Sequence, residues 1–307
     1  MSKEITYSIV IPVYNSSGSL QELADRTVAA LHGLSCEIVF IDDGSRDGSW
    51  QVISRLKMQY PDVIKAIKLQ KNYGQHAALL CAFSYARGNY IITIDDDLQY
   101  APEDIMTLIN KQAETAAQVV YAILIDRQHP KIRAVGTRLV QTNNKIITST
   151  DIKGSSFRLI SREIIDKIVT NHRNNFLFLD EVLLWYTTTF AYVDVKHYPR
   201  KHGKTGYTLG KLVKMYFSMI TNYSAFPLRA MVNLGFIFSL LFFIIGLRFI
   251  YIKMARGIPI IGWTSIIVTI LFSTSVIMLC LGVLGIYLFK MFQAQQNKPL
   301  YTIKQVL

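Results

Sequence analysis

The chain has 307 residues, of which 51% are hydrophobic, and its mean hydropathy of +0.26 is high for a protein that lies wholly in water. Its three cysteines, Cys36, Cys81 and Cys280, are scattered through apolar segments, which argues against a disulfide framework or a zinc site. The net charge of +12 comes without a nucleic-acid-binding motif, so anionic lipid headgroups and phosphorylated substrates are the favoured partners.

The first 125 residues alternate short β-branched runs with amphipathic stretches, a pattern of βα units that build a mostly parallel sheet. The predicted strands are residues 7–13, 36–42, 64–69, 90–95 and 118–124. The predicted helices are residues 19–32, 49–60, 76–87 and 102–115. Ligands of open α/β sheets bind at the carboxyl ends of the strands, so the polar loops that follow the first four strands should converge there.

These loops read VYNSSG, DDGS, QKNYGQ and DDDLQ in chain order. The first of them is not the Gly-x-Gly-x-x-Gly turn of a dinucleotide-binding fold, which argues against nicotinamide chemistry. The second belongs to DDGSRDGS, where the carboxylates of Asp42 and Asp43 can accept hydrogen bonds from a nucleobase and from ribose hydroxyls. Asp-Gly by itself is an ordinary turn signal, so this loop predicts a nucleotide site only together with the fourth loop.

The fourth loop begins with three aspartates, Asp95, Asp96 and Asp97. If they continue a strand, Asp95 and Asp97 point to one side and Asp96 to the other. Two convergent carboxylates repel each other unless a cation lies between them, and oxygen ligands favour Mg²⁺ or Mn²⁺. An isolated Asp-x-Asp is more often an acidic turn. Next to the second loop, however, it predicts a nucleotide whose diphosphate is bound to a divalent metal ion.

The segment after the fifth strand, residues 126–152, is basic and polar, and it is either a mobile loop over the site or a solvated surface loop. The sequence GSSFRLISREIIDKI then predicts a strand and a helix. Apolar residues at helical spacing against lysines predict an amphipathic helix in the membrane interface over residues 207–226.

Two nearly continuous apolar runs follow, residues 231–252 and 263–289. Each exceeds the roughly 20 residues that span a bilayer, and neither has the polar stripe of a buried core helix. We therefore expect two transmembrane helices. Basic residues outside the hairpin place both termini in the cytoplasm, and no signal peptide is expected at the N-terminus. The predicted domains are a catalytic domain at 1–206, an interface region at 207–229, a transmembrane hairpin at 230–290 and a cytoplasmic tail at 291–307.

Several of these motifs together resemble the GT-A catalytic domain of family 2 glycosyltransferases: SIVIPVYN, IDDGSRDGS, KNYGQHAAL and ITIDDDLQYAPEDI. They are similar to the branch that acts on polyprenyl phosphates, which includes dolichyl-phosphate mannose synthases, bactoprenol glucosyltransferases and undecaprenyl-phosphate aminoarabinose transferases. NYGQHAA is most similar to the last of these. GSSFRLISR, RKHGKTGYT, the two apolar runs and NKPLYTI follow in the family's order, so the resemblance covers nearly the whole chain.

The resemblance implies an α/β fold with a Rossmann-like, mostly parallel sheet, followed by interface helices and two transmembrane helices. It implies inverting transfer of a sugar from a nucleotide sugar, with UDP as the favoured nucleotide, to undecaprenyl phosphate. The reaction would take place at the cytoplasmic face of the bacterial inner membrane and serve cell-envelope glycan or lipopolysaccharide modification. A homo-oligomer such as a tetramer is implied as well, with a flippase and a second transferase as downstream partners.

The site residues implied by the resemblance fall into three groups. Those bordering the nucleotide are Pro12, Tyr14, Asp42, Asp43, Lys71 and Gly74. Those at the Mg²⁺ or Mn²⁺ ion are Asp95, Asp97 and Gln99. Those at the phosphates and the acceptor are Arg158, Arg200, Lys204 and Tyr207. Asp97 and Arg158 would be catalytic. Ser16 departs from the family's usual Glu, and Thr205-Gly206-Tyr207 departs from its Ser-Lys-Tyr.

Two other functions remain open at this stage. A processive polysaccharide synthase would show a Gln-x-x-Arg-Trp motif and more membrane spans, neither of which the sequence contains. A non-catalytic membrane scaffold could bind nucleotide sugar and recruit a flippase or a second transferase, but it would gain nothing from a reactive metal. Asp180 and Glu181 in FLDEVLL could imitate the catalytic base of sugar-to-hydroxyl transferases, although a pair on a helix surface is the favoured interpretation.

Overall fold

The structure is a computed structural model that describes residues 5–125, 155–172, 178–199, 226–256, 262–295 and 299–307. These residues fall into two compact units. The first unit contains an α/β domain together with the last residues of the chain. The second unit contains two long helices.

Eight strands form one sheet within the described residues of the first unit. They are β1 (Tyr7–Val13), β2 (Cys36–Asp42), β3 (Ile64–Leu69), β4 (Tyr90–Thr93), β5 (Val119–Ile125), β6 (Arg158–Ser161), β7 (Phe190–Lys196) and β8 (Ile303–Val306). Their order across the sheet is β7-β5-β6-β4-β1-β2-β3-β8. Only β6 and β8 run against the other six strands. The mostly parallel α/β sheet that the sequence predicts is therefore confirmed.

Helices cover both faces of the sheet. They are α1 (Leu20–Ala30), α2 (Ser49–Gln59), α3 (Gln75–Tyr85), α4 (Ile105–Thr115), α5 (Arg162–Asn171) and α6 (Leu179–Tyr186). Ile9 and Ile11 of β1 pack with α1, α2 and α4, whereas Val10 between them packs with α3, α5 and α6. Successive strand residues point to opposite faces, so a strand buried on both sides must be apolar at every position. This is why the central strands read as continuous hydrophobic runs.

The end of β4 differs from the prediction. The strand ends at Thr93, and the predicted end at Asp95 is wrong. The backbone nitrogen of Ile94 still donates to the carbonyl oxygen of Val10, at 3.1 Å, but the chain then turns and Leu98 has a φ of 59°. The three aspartates therefore lie in a loop. The alternation of side chains along a strand does not apply to them, and the direction of each carboxylate depends on its own contacts.

The two strands that run against the rest join distant parts of the chain to the sheet. β6 lies between β4 and β5, and it places Arg158 directly opposite Thr93. β8 pairs with β3 at the sheet edge, where the backbone nitrogen of Leu307 donates to the carbonyl oxygen of Ala66 at 2.8 Å. The sequence analysis predicted a strand in GSSFRLISR, but it did not predict that this strand lies between β4 and β5. It also did not predict a strand at the end of the chain that pairs with β3. Residues 303–306, which belong to the predicted cytoplasmic tail at 291–307, thus extend the sheet.

The second unit contains the helices α7 (Phe226–Arg256) and α8 (Trp263–Gln295), which cover the two apolar runs at residues 231–252 and 263–289, and two membrane crossings stay a prediction. In the part of the chain that the structure describes, α8 is the helix long and apolar enough to cross a membrane. Its apolar window is Phe272–Phe289, with a mean hydropathy of 2.1. Residues 207–225 of the predicted interface helix and the basic segment 126–152 lie outside the described residues.

Candidate active site

The loops after the parallel strands converge on one edge of the sheet, as predicted. The backbone nitrogen of Asn15, after β1, donates to Ser45 Oγ in the loop after β2, at 3.0 Å. The backbone nitrogen of Tyr14 donates to Asp96 Oδ2 in the loop after β4, at 3.2 Å. Gln75 at the start of α3 donates through Nε2 to Asp95 Oδ1 at 2.8 Å. The four polar loops therefore form one continuous surface.

Asp42 and Asp43 are buried at the end of β2 and fasten the loops around them. Asp42 Oδ1 accepts a hydrogen bond from the Ser45 nitrogen at 2.9 Å. Its Oδ2 has no hydrogen bond among the described residues, with the Lys68 Nζ at 3.9 Å. Asp43 accepts hydrogen bonds from the backbone nitrogens of Tyr73 at 2.7 Å and Gly74 at 2.8 Å. Asp43 thus holds the loop after β3, whereas the second oxygen of Asp42 is buried and faces the Lys68 ammonium.

Asp95, Asp96 and Asp97 lie in the loop after β4, called the acidic loop below, and each has its own hydrogen-bond partners. Asp95 accepts hydrogen bonds from Gln75 and, at 2.5 Å, from Ser156 Oγ. Asp97 Oδ1 accepts one from the backbone nitrogen of Gln99 at 3.1 Å. Burial raises the pKa of Asp95, and the nearby charge of Asp97 raises it further. The charges of Asp95 and Asp97 also raise the pKa of Asp96, whose carboxylate contacts the loop after β1 as well, so all three carboxylates lie close enough to repel one another.

The two carboxylates of Asp95 and Asp97 suit a divalent ion whose other ligands are not protein side chains, and their role as its ligands stays a prediction. In the described ranges, no group of three or more His, Cys, Asp or Glu side chains surrounds a common point. Two carboxylates are nevertheless a usual protein contribution for Mg²⁺, which keeps several waters and binds substrate phosphates at its other positions. The Gln99 side chain lies beside His197, with 3.4 Å between Gln99 Nε2 and His197 Nε2. Its role as a metal ligand stays a prediction.

Arg158 is almost fully buried, with 2% of its surface exposed. Its Nη1 forms an ion pair with Asp180 of α6, and its Nε donates to Thr93 Oγ1 at 3.3 Å. Its guanidinium carbon lies 5.9 Å from the ring centre of Tyr121, whose hydroxyl donates to Asp180 Oδ1 at 2.9 Å. Asp180 lies at the partly exposed surface of α6, as the sequence analysis favoured, and it is in addition the counter-ion of a buried arginine. Contact between Arg158 and a phosphate stays a prediction.

The sequence profile of glycosyl transferase family 2 matches residues 8–182, more than half of the chain and the segment that supplies most of these loops. The chain belongs to this family. It is a glycosyltransferase, and its mixed α/β sheet is of the GT-A type.

Relatives are similar over almost the full length of this glycosyltransferase. Undecaprenyl-phosphate 4-deoxy-4-formamido-L-arabinose transferase from Pseudomonas fluorescens is 34% identical, over 98% of this chain and 90% of that protein. The enzyme of the same name from Edwardsiella ictaluri is 31% identical, over 98% and 94%. A crystal structure of glucosyl-3-phosphoglycerate synthase from Mycobacterium tuberculosis, in complex with Mn²⁺, UDP and glucosyl-3-phosphoglycerate, is 17% identical. That match covers 71% of this chain and 78% of that chain, with a TM-score of 0.48.

The remaining predicted residues of the glycosyltransferase are only in part described. Pro12 lies inside β1, Tyr14 is 46% exposed at its end, and Lys71 lies over the Tyr73 ring with Nζ 5.2 Å from the ring centre. Gly74 precedes α3 with a φ of 93°. The three predicted acceptor contacts outside the described residues are Arg200, Lys204 and Tyr207.

The sequence analysis missed three side chains around Asp95 and Arg158, namely Gln75, Thr93 and Ser156, and it did not connect Asp180 with Arg158. Gln75 and Ser156 stand in the quoted motifs NYGQHAA and GSSFRLISR, so their positions could have suggested a role. Thr93 stands in the quoted motif ITIDDDLQYAPEDI and Asp180 in FLDEVLL, but neither motif indicates a contact with Arg158. A threonine in a strand and an aspartate in the first turn of a helix are ordinary residues in those positions.

Gly44 is required where the loops after β2 and β3 touch. Its φ is +67°, and a Cβ there would lie 2.4 Å from the carbonyl carbon of Lys71. We expect Gly44→Ala to lower the free energy of unfolding by about 2–4 kcal/mol, because the backbone of both loops must move. Gly48→Ala is the matched control, since its Cβ would meet only Ser17 Cβ at 3.7 Å. Chemical unfolding in detergent measures both variants, and equal losses would contradict the close contact at Gly44.

The pKa of Asp43 predicts a dependence of stability on pH. Burial raises this pKa to about 6, above the usual value near 4. The native state then binds the proton more tightly than the unfolded chain, so this contribution to stability is complete below about pH 4 and is lost as the pH rises through about 6. Relative to Asp43→Asn, the wild type should lose up to about 3 kcal/mol of unfolding free energy over that range. Chemical unfolding curves at each pH measure this. A difference in unfolding free energy between the wild type and Asp43→Asn that stayed constant with pH would contradict the prediction.

Proposed function

We propose that this glycosyltransferase transfers a sugar from a nucleotide sugar, with UDP as the nucleotide, to undecaprenyl phosphate. The observation that carries the proposal is the match to enzymes named for that acceptor, which covers 98% of the chain. A similarity confined to the catalytic domain would stop before residue 206, whereas this one continues through the region of α7 and α8. The product would be a lipid-linked monosaccharide for cell-envelope glycan or lipopolysaccharide modification.

The proposal includes a membrane hairpin formed by α7 and α8, with the catalytic domain in the cytoplasm of a bacterium. α8 has the apolar window described above, and α7 has 31 residues, more than the roughly 20 that cross a bilayer. The domain boundaries at residues 206, 229 and 290 and a homo-oligomeric assembly belong to the same proposal. Anchoring suits the chemistry, because the acceptor phosphate lies at the headgroup plane and the active site must reach it.

The residues of the site suit attack by a phosphate on the anomeric carbon. A phosphate monoester has a second pKa near 6, so at pH 7 its oxygen is already largely ionised and needs no strong general base. Asp95 and Asp97 would hold Mg²⁺ or Mn²⁺, which when bound neutralises charge on the diphosphate leaving group. Asp42, at the end of β2, would border the nucleoside. Direct attack on an α-linked donor would give a β-linked product.

The test uses the purified full-length protein in detergent with undecaprenyl phosphate and a panel of UDP- and GDP-linked sugars. We expect mass spectrometry of the lipid fraction to show one added monosaccharide with a UDP-linked donor, and none after addition of EDTA. Release of nucleoside diphosphate should match the lipid product mole for mole. Absence of any lipid product across the panel would contradict the proposed acceptor. Growth of a polymer would instead support a processive synthase, and nucleotide binding without release would support a scaffold.

A further inference from the structure

A chain of contacts leads from α6 to the acidic loop. Asp180 of α6 is ion-paired with Arg158 of β6. Arg158 Nε donates to Thr93 Oγ1 at 3.3 Å, and Thr93 Oγ1 donates to the carbonyl oxygen of Ser156 at 2.6 Å. Ser156 Oγ then donates to Asp95 Oδ2 at 2.5 Å. Every link joins two different segments of the chain, so the path connects a helix to the loop through the sheet.

The middle of this path is closed to solvent. Arg158 is 2% exposed and Thr93 is 1% exposed, so water has little access to replace a lost partner. A buried guanidinium without its counter-ion is strongly unfavourable, which fixes Arg158 against Asp180. The Asp180 side chain is the more open end, with 38% exposed. The position of α6 can therefore be transmitted to Ser156 through groups that have few alternative arrangements.

The far end of the path determines how Asp95 is held. Ser156 and Gln75 donate to different oxygens of the Asp95 carboxylate and together fix its plane. Hydrogen bonds to a ligating carboxylate orient it, and losing such a bond typically weakens metal binding by about 10- to 100-fold.

We propose that Asp180 is a positioning residue for the divalent ion, acting on Asp95 through Arg158 and Ser156. The inference rests on the proposed function, since it assumes that Asp95 binds the ion. It differs from the role of general base that the sequence left open for Asp180. Asp180 Oδ1 already accepts hydrogen bonds from Arg158 and from the Tyr121 hydroxyl, so the contacts of this oxygen are with the protein.

A positioning role and a general-base role for Asp180 predict different experimental results. A positioning residue changes the affinity for the ion, including in the absence of substrate. A general base changes the turnover number and leaves that affinity unaltered, because it contacts the reacting atoms and not the ion.

The experiment titrates the full-length protein in detergent with Mn²⁺, without donor or acceptor, and follows free Mn²⁺ by electron paramagnetic resonance. The variants are Asp180→Asn and Ser156→Ala, and the matched control is Glu181→Gln on the same helix. We expect both variants to weaken Mn²⁺ binding by about tenfold or more. The control should stay within about twofold of the wild type.

Ser156→Ala keeps the test decisive if Asp180→Asn unfolds, because it removes the last link and leaves the buried ion pair intact. If Ser156→Ala binds Mn²⁺ as tightly as the wild type does, the inference is overturned. So would a wild type that binds no Mn²⁺ but still makes the lipid-linked sugar, and in that case the transfer reaction would stand. If the wild type binds Mn²⁺ and the variants lose affinity while no lipid product forms, the positioning role is supported and the proposed acceptor fails.

Discussion

Asp97→Asn is expected to lower the turnover number about a hundred- to a thousandfold, because it removes one of the two carboxylates proposed to hold the ion at the leaving diphosphate. Asp96→Asn should lower turnover by less than about tenfold. The Asp96 carboxylate accepts a hydrogen bond from the backbone nitrogen of Tyr14, and an amide oxygen can accept the same bond. Neighbouring aspartates of one loop thus have different expected effects because their partners differ.

Initial rates at saturating donor, acceptor and Mg²⁺ measure this difference between Asp97 and Asp96. The two variants provide each other's control, since each replaces one carboxylate by an amide in the same loop. Raising the Mg²⁺ concentration should restore little activity to Asp97→Asn. Equal losses in the two variants would refute the assignment of Asp97 as a metal ligand.

Arg158→Met should lower the free energy of unfolding by about 3–5 kcal/mol, the cost of breaking a buried ion pair. The substitution leaves Asp180 and the Tyr121 hydroxyl without the cation that they surround. Methionine also cannot donate to Thr93, so the path from α6 to the acidic loop is interrupted. The loss of stability should be accompanied by loss of most activity, even at temperatures where the variant is folded.

Arg26→Met is the matched control for this prediction. Arg26 forms ion pairs with Glu22 and Glu103, but all three side chains are partly exposed and the surface pairs are worth about 1 kcal/mol or less. Chemical unfolding of both variants in detergent gives the comparison. If Arg158→Met costs no more stability than Arg26→Met, the burial and pairing of Arg158 do not hold in solution.

The order of elements in the α/β domain follows from local sequence patterns. The continuous apolar runs of β1 and β2 predict strands buried on both faces, and their bounds agree with the structure. Parallel strands separated by helices must bring their carboxyl ends to one edge, which is why the loop with Asp43 and the loop with Asp95 could be predicted to meet. The family resemblance then narrowed the chemistry that such an edge can perform.

The detailed roles of the charged residues depended on contacts between distant segments. No local pattern indicates that β6 enters the sheet between β4 and β5, yet this places Arg158 opposite Thr93 and beside Asp180. Asp43 was predicted to border the nucleotide, but its carboxylate accepts the hydrogen bonds of a neighbouring loop.

The sequence by itself determined the first five strands, apart from the end of β4, the four helices between them and the edge of the sheet where the polar loops gather, because propensity and hydrophobic periodicity act over neighbouring residues. Only the tertiary structure decided which carboxylate is paired with Arg158 and which fastens a loop. A buried charge is stable only beside its partner, and that partner can lie anywhere in the chain.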